Sequence, residues 1–223
     1  MKIDRAGAPF IAAAFVIGVA FILFGQTVLA GAFAVLAGFF CFFFRDPKRQ
    51  TPDALNGVVS PADGRVVFSG FSETGTAPDD GMWQQISIFL SPLDVHVNRV
   101  PVSGVITRVD YRPGRFFPAY RKEAAIENER CEVWIDHNGQ MVVCRQIVGI
   151  LARRVICRVV PGMTVRLGQR LGIMKFGSRM DIFIPMDGLL QVRVGDIVRG
   201  GETILASLNE DEVGRVTKQE FDG

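Results

Sequence analysis

Apolar residues divide the chain into two unequal parts. From Ala6 to Phe44 there is no charged residue, and the stretch holds two apolar runs, PFIAAAFVIGVAFILFG (9–25) and VLAGAFAVLAGFFCFFF (28–44), joined by Gln26-Thr27. A membrane-crossing helix needs about 20 apolar residues, with a lower limit near 17. Each run is marginal alone, and the two together are too long for one untilted helix. The pattern predicts a helical hairpin with Gln26-Thr27 at or near the far interface. A re-entrant hairpin lying in the interface is its rival. A signal peptide fits less well, because the second run would still hold the chain after cleavage at VLAGA. Lys2 and Arg5 precede the hairpin, and Arg45, Lys48 and Arg49 follow it. Positive charge at both ends places both in the cytoplasm, so residues 51–223 are expected on the cytoplasmic side of the cell membrane, behind an anchor formed by 1–50.

After RDPKR the period changes. Short runs rich in Val and Ile alternate with Gly, Pro, Asp and Asn, as in GVVSPADGRVVFSG, QISIFLS, DVHVNRV and GVITRVDYRPG. Such spacing marks successive strands and turns. CEVWIDHNGQMVVCRQIVGI predicts a hairpin turning at Asn138-Gly139, and RRVICRVV and DIFIP add further strands. Only AYRKEAAIENER (119–130) has helical composition. VRLGQRLGIM (165–174) and VRVGDIVRGGETILASL (192–208) echo each other, with Gly at turns between short apolar strands. The echo suggests two facing halves around one core. The expected fold is therefore mainly β (α+β), a barrel-sandwich-like β domain behind a hydrophobic helical hairpin.

Composition narrows the function. A length of 223 residues allows one packed domain and an appendage, and a net charge of +2 argues against a nucleic-acid partner. Cys41, Cys131, Cys144 and Cys157 form no C-x-x-C pair, and with only His96 and His137 in the chain no metal site is expected. The cysteines read as reduced, buried small hydrophobes. A homo-oligomer is left open.

The stretch KFGSRMD (175–181) carries the sharpest candidate chemistry. Gly-Ser pairs are ordinary turn residues. Yet a serine hydroxyl can attack the carbonyl carbon of the residue before it, and glycine there permits a backbone geometry that other residues resist. The peptide becomes an ester. Loss of the Ser178 α-proton then expels the glycine carboxylate, and the dehydroalanine left behind hydrolyses to a pyruvoyl group and ammonia. His96 lies in LSPLDVHVNRVP; on a strand, Asp94, His96 and Asn98 would share one face and Val95 and Val97 the other. It is either a satisfied structural histidine or a general acid–base. Asp63, in SPADG, is an ordinary turn aspartate unless it orients His96. His137 reads as a solvated turn residue. Phe116, Phe117 and Tyr120 among Arg115, Arg121 and Lys122 suit either a membrane interface or a packed loop. Lys175, in IMKFG, offers a rival function, a biotinyl- or lipoyl-type carrier modified at that lysine. Carriers usually place Met on both sides of the lysine, and here Phe176 follows.

Taken together, FFFRDPKR, SPADGRV, LSPLDVHVNR, ENER, RQIVGILARR and FGSRMDIFIP resemble, in order, the motifs of short-form phosphatidylserine decarboxylase proenzymes over about residues 42–208. The resemblance implies self-cleavage between Gly177 and Ser178 into a β chain (1–177) and an α chain (178–223) that stay associated. It implies a covalent pyruvoyl cofactor made from Ser178, which forms a Schiff base with the amine of phosphatidylserine in the membrane, and release of CO2 to leave phosphatidylethanolamine. Ser178 would be the nucleophile of cleavage, with Asp63 and His96 as its catalytic partners. Arg99 stands where long-form members carry a second histidine, so either His96 serves both self-cleavage and decarboxylation, the reading taken here, or short forms process differently. Asn98, Arg179, Phe116 and Phe117 are the substrate-binding candidates.

Overall fold

The computed structural model describes residues 2–73, 75–121, 123–150, 155–175 and 177–209. The chain opens with β1 (Lys2–Ile3) and a 3-10 turn, then forms α1 (Ala8–Leu23) and α2 (Thr27–Phe43). The two helices make the hairpin that the apolar runs predict, turning at 24–26. β2 (Arg45–Asp46) returns to pair with β1, which closes the base of the hairpin.

The rest is mainly β. In chain order the strands are β3 (Gly57–Val59), β4 (Gly64–Phe71), β5 (Gln84–Leu90), β6 (Val97–Arg99) and β7 (Gly104–Arg112). A single helical turn, α3 (Ala124–Glu127), precedes β8 (Arg130–His137), β9 (Gln140–Val148) and β10 (Val155–Cys157). β11 (Thr164–Val165), β12 (Arg170–Met174), β13 (Ser178–Ile184), β14 (Leu189–Leu190), β15 (Ile197–Val198) and β16 (Ile204–Ser207) complete the described chain. An eight-stranded antiparallel sheet runs β11-β7-β8-β9-β13-β5-β4-β15, and two three-stranded sheets, β10-β12-β6 and β14-β16-β3, pack with it. The sequence echo has a structural counterpart. β11 and β15 occupy opposite edges of the large sheet, and β12 and β16 are the central strands of the two small ones.

Alternation along β13 shows how the core is divided. Met180, Ile182 and Ile184 point into the main core with Ile86, Ile88, Cys144 and Val148. Phe183 points the other way, into a second cluster with Trp83, Trp134 and Val143. A third cluster seats the hairpin: Phe43 and Phe44, both fully buried, pack on Val95, Val97 and Ile173. The β8–β9 turn has Asn138 at φ 53 and Gly139 at φ 88, the left-handed pair of a two-residue hairpin.

Two expectations need correcting. The helix expected over 119–130 survives only as α3. At Asn128 the chain turns extended (ψ 155), and the buried Asn128 amide bonds the Phe117 N–H, the Phe117 carbonyl and the Val148 carbonyl. Three tertiary hydrogen bonds outweigh helix propensity differences of a few tenths of a kcal/mol per residue. His137 is buried rather than solvated, with Nδ1 2.6 Å from the Ser103 carbonyl.

Candidate active site

Ser178 is the first residue of β13, which lies between β5 and β9 in the middle of the large sheet, opposite Leu90 on one side and Val148 on the other. It is fully buried on the Met180 side of the strand, and its Oγ has no hydrogen-bond partner among the described residues. An unpaired buried hydroxyl costs about 1–3 kcal/mol, so this is a position where fold stability yields to something else. Gly177 has φ +71, yet no atom lies within 4 Å of where its Cβ would be. Conformation, not space, demands glycine; another L-residue would cost about 1–2 kcal/mol there. Gly149 is different. A Cβ on Gly149 would overlap the Gly177 carbonyl oxygen, so the carbonyl joined to Ser178 lies against bare backbone at the end of β9.

His96 comes to this junction from the loop before β6. Its Nδ1 is 2.9 Å from the Asp94 carbonyl, and its Nε2 is 3.5 Å from the Gly177 backbone nitrogen. The pair of contacts describes one tautomer: Nδ1–H donates to Asp94, and the Nε2 lone pair faces the Gly177 N–H. Phe43 lies over the imidazole, ring centroids 4.1 Å apart. Burial pushes the His96 pKa down to about 4, against partial offset by the Asp94 carbonyl and carboxylate. At neutral pH His96 is therefore a neutral base, its Nε2 at the Gly177 N–H, one peptide unit from Ser178.

The remaining candidates scatter. Asp63 does not pair with His96. Both its oxygens bind the Arg49 guanidinium at 2.8 Å, and Oδ1 also accepts the Gly200 N–H at 2.8 Å. The orienting partner of His96 is instead the Asp94 carbonyl, while the Asp94 carboxylate caps the Ser91 N–H. Asn98 is fully buried and accepts a 2.8 Å hydrogen bond from Gln146 Nε2. Arg179 points away from the Ser178 side, as strand alternation requires. It is held by Asp181 at 2.6 Å and Ser87 at 2.9 Å, and it borders a cavity of about 180 Å³ with Tyr120, Thr76 and Gln85. Phe116 is exposed and Phe117 half-buried, on a loop whose Ala119 adjoins Gly149. Lys175 does not project from a hairpin tip; its ammonium sits 4.8 Å over the Phe10 ring of α1. Arg99 binds Asp46 and the Pro47 carbonyl, so the residue at the second-histidine position ties β6 to the segment after the hairpin. Among the described residues no cluster of His, Cys, Asp and Glu could hold a metal ion.

Sequence reasoning missed Gly149, Gln146 and Phe43. Gln146 left a signal: it interrupts the inward-facing series Val142, Cys144, Val148 of β9 with an amide. Gly149 and Phe43 left none, because each acts on a residue far away in the chain.

Residues 36–206 match the family described as phosphatidylserine decarboxylase. The chain is 43% identical over 200 residues to a phosphatidylserine decarboxylase proenzyme of Geotalea daltonii, covering 89% of this chain and 93% of that one. Proteins of the same description from Salinibacter ruber (46% over 185 residues; 82% of this chain, 81% of the other) and Nitratidesulfovibrio vulgaris (42% over 208 residues; 92% and 94%) are also similar. A buried, unpartnered serine after a left-handed glycine, with a neutral histidine beside it, thus occurs in a chain that belongs to the phosphatidylserine decarboxylase family.

Proposed function

We propose that this chain is the precursor of a membrane-anchored, pyruvoyl-dependent phosphatidylserine decarboxylase that cuts itself between Gly177 and Ser178. The observation that carries the reading is the Gly177-Ser178 junction: a buried Oγ without a partner, a scissile carbonyl seated on Gly149, and the neutral imidazole of His96 within one peptide unit. His96 Nε2 takes the Ser178 hydroxyl proton as Oγ attacks the Gly177 carbonyl carbon. The C–N bond breaks, the proton passes to the freed amine, and an ester links the two halves. Removal of the Ser178 α-proton breaks the ester Cβ–O bond and releases the Gly177 carboxylate. Water then replaces the nitrogen, which leaves as ammonia.

The surroundings fit a pyruvoyl group at position 178, since an interior, water-poor site protects a reactive carbonyl from bulk solvent. The group supplies a carbonyl that takes the substrate amine and accepts the electron pair left behind by CO2. The chain's own contribution is to orient the lipid, exclude water and return a proton. His96, the histidine that reaches this junction, serves both cleavage and proton return. Phosphatidylserine enters from the bilayer and phosphatidylethanolamine leaves to it. Residues 1–50 are the anchor and 51–223 the catalytic domain, cleaved to 1–177 and 178–223. Two features support membrane attachment. The stretch Arg5–Leu23 is 19 residues long with mean hydropathy 2.4, and only 17% of its apolar window is buried by protein. Phe15, Val16, Leu23, Phe24, Val28 and Val35 are exposed on the hairpin surface.

The deciding experiment is denaturing electrophoresis with intact-mass analysis of wild type and Ser178→Ala, alongside CO2 release from phosphatidylserine. Wild type should give two chains and activity; Ser178→Ala should give one chain of 24.5 kDa and none. Active protein with an unbroken backbone and an unmodified Ser178 would overturn the proposal.

A further inference from the structure

Among the described residues, Ser178 Oγ, Asn98 Nδ2 and Gln146 Oε1 are buried without hydrogen-bond partners on one side of the core. They belong to one neighbourhood. Gln146 sits opposite Met180 in the β9–β13 register, and Ser178 is the next residue of β13 on that same face. Diagonal neighbours of this kind lie about 7–8 Å apart, within reach of a long side chain. Gln146 Nε2 in turn donates to Asn98 Oδ1, and Asn98 is two residues from His96. One hydrogen bond thus joins two amides, and either orientation of the pair leaves an NH2 unshared. Both residues are fully buried.

The cations nearest in sequence are directed elsewhere. Arg99 follows Asn98 and binds Asp46; Arg145 precedes Gln146 and binds Glu132; Arg179 follows Ser178 and binds Asp181. Each flanking arginine is thus neutralised by a carboxylate outside this cluster, and among the described residues the unshared donor on the Ser178 face of β13 is an uncharged amide.

We propose that the Asn98–Gln146 pair is the subsite for the carboxylate of the amino-lipid headgroup, an inference that rests on the decarboxylase reading. When the bond to the carboxyl carbon breaks, its electron pair stays with the carbon skeleton and neutral CO2 departs. The carboxylate is charged in the ground state and loses that charge toward the transition state. An arginine would hold the ground state most strongly and so raise the barrier, because only interactions stronger in the transition state accelerate the step. A neutral NH2 aims the carboxylate with less of that penalty. It also distinguishes the substrate, which has a carboxylate, from the product, which does not.

The test uses the double variant Asn98→Leu/Gln146→Met. Replacing both partners with apolar groups of similar shape leaves neither amide stranded and is nearly neutral for folding. Full-length protein in mixed vesicles is given phosphatidylserine and phosphatidylethanolamine of different acyl length with cyanoborohydride. Intact mass then reports which lipid became linked to residue 178. Wild type should prefer phosphatidylserine, and the double variant should cleave itself but lose roughly tenfold or more of that preference, as expected for hydrogen bonds to a charged group. An unchanged preference overturns the inference. So does loss of self-cleavage in the double variant, which would assign the pair to folding or cleavage. Failure of wild type to link either lipid would instead refute the decarboxylase reading itself.

Discussion

At Gly177 and Gly149 two glycines act for different reasons. Gly177 needs its left-handed φ, whereas Gly149 needs the missing Cβ, because the Gly177 carbonyl oxygen occupies that space. In the proposed cleavage, the second requirement bears on the attack angle at Ser178. Gly149→Ala should displace the scissile carbonyl while leaving β9 paired, and misplacement of about 1 Å can cost about 10²-fold in rate. The appearance of the 178–223 fragment over time, read by mass, should slow by about that factor. Self-cleavage at the wild-type rate would show that the contact does not set the geometry. The Gly-Ser pair was readable from sequence because its chemistry is local. Gly149 was not, since nothing in RQIVGI announces that a carbonyl 28 positions later will rest on it.

At the scale of elements, the hairpin and the β domain are one construction. Phe43 and Phe44 of the hairpin fill a core with Val95, Val97 and Ile173. Ion pairs tie the hairpin's flanks to the domain: Asp4 with Arg158, Asp46 with Arg99 and Arg170, Arg49 with Asp63 and Glu202. Arg49, a flanking cation in the topology argument, is therefore also an internal clamp. Phe43 covers His96, and burial holds that imidazole near pKa 4. Cleavage needs the neutral base, which a lowered pKa preserves to lower pH. The rate should be flat from about pH 8 to 6 and fall only as pH approaches 4, well below an ordinary histidine. Phe43→Ala should open His96 to water and move that acid limb up toward 6.5. A limb that stays in place would separate the anchor from the base. The hairpin was legible because Ala6 to Phe44 carries no charge, and the strands because a half-buried sheet imposes a period of 2. The 119–130 helix was misread because Asn128 spends its amide on β9 and the Phe117 loop, a tertiary choice that composition does not record. The Asp63–His96 pairing failed for a similar reason: Arg49, from a different motif, reaches Asp63 first.

In the whole molecule, β13 pairs over its length with β5 and along most of it with β9. Breaking the peptide before Ser178 leaves the pairing of Arg179 to Ile184 with β5 in place, and Met180, Ile182 and Ile184 stay in the main core. The two fragments should therefore elute together in native detergent and part only in denaturant. Spontaneous separation of 178–223 under native conditions would mean that the ladder does not survive the cut. The echo between 165–174 and 192–208 also resolves at this scale, as matching edge and central strands around one core.

The placement of Ser178 in the middle of the large sheet has a consequence for the cell. The residues that surround the junction come from α2, the loop before β6, and the end of β9, so only a chain whose sheet has assembled brings them to Ser178. A chain that makes a ketone by this route arms itself only after its fold is complete, and misfolded copies stay chemically inert.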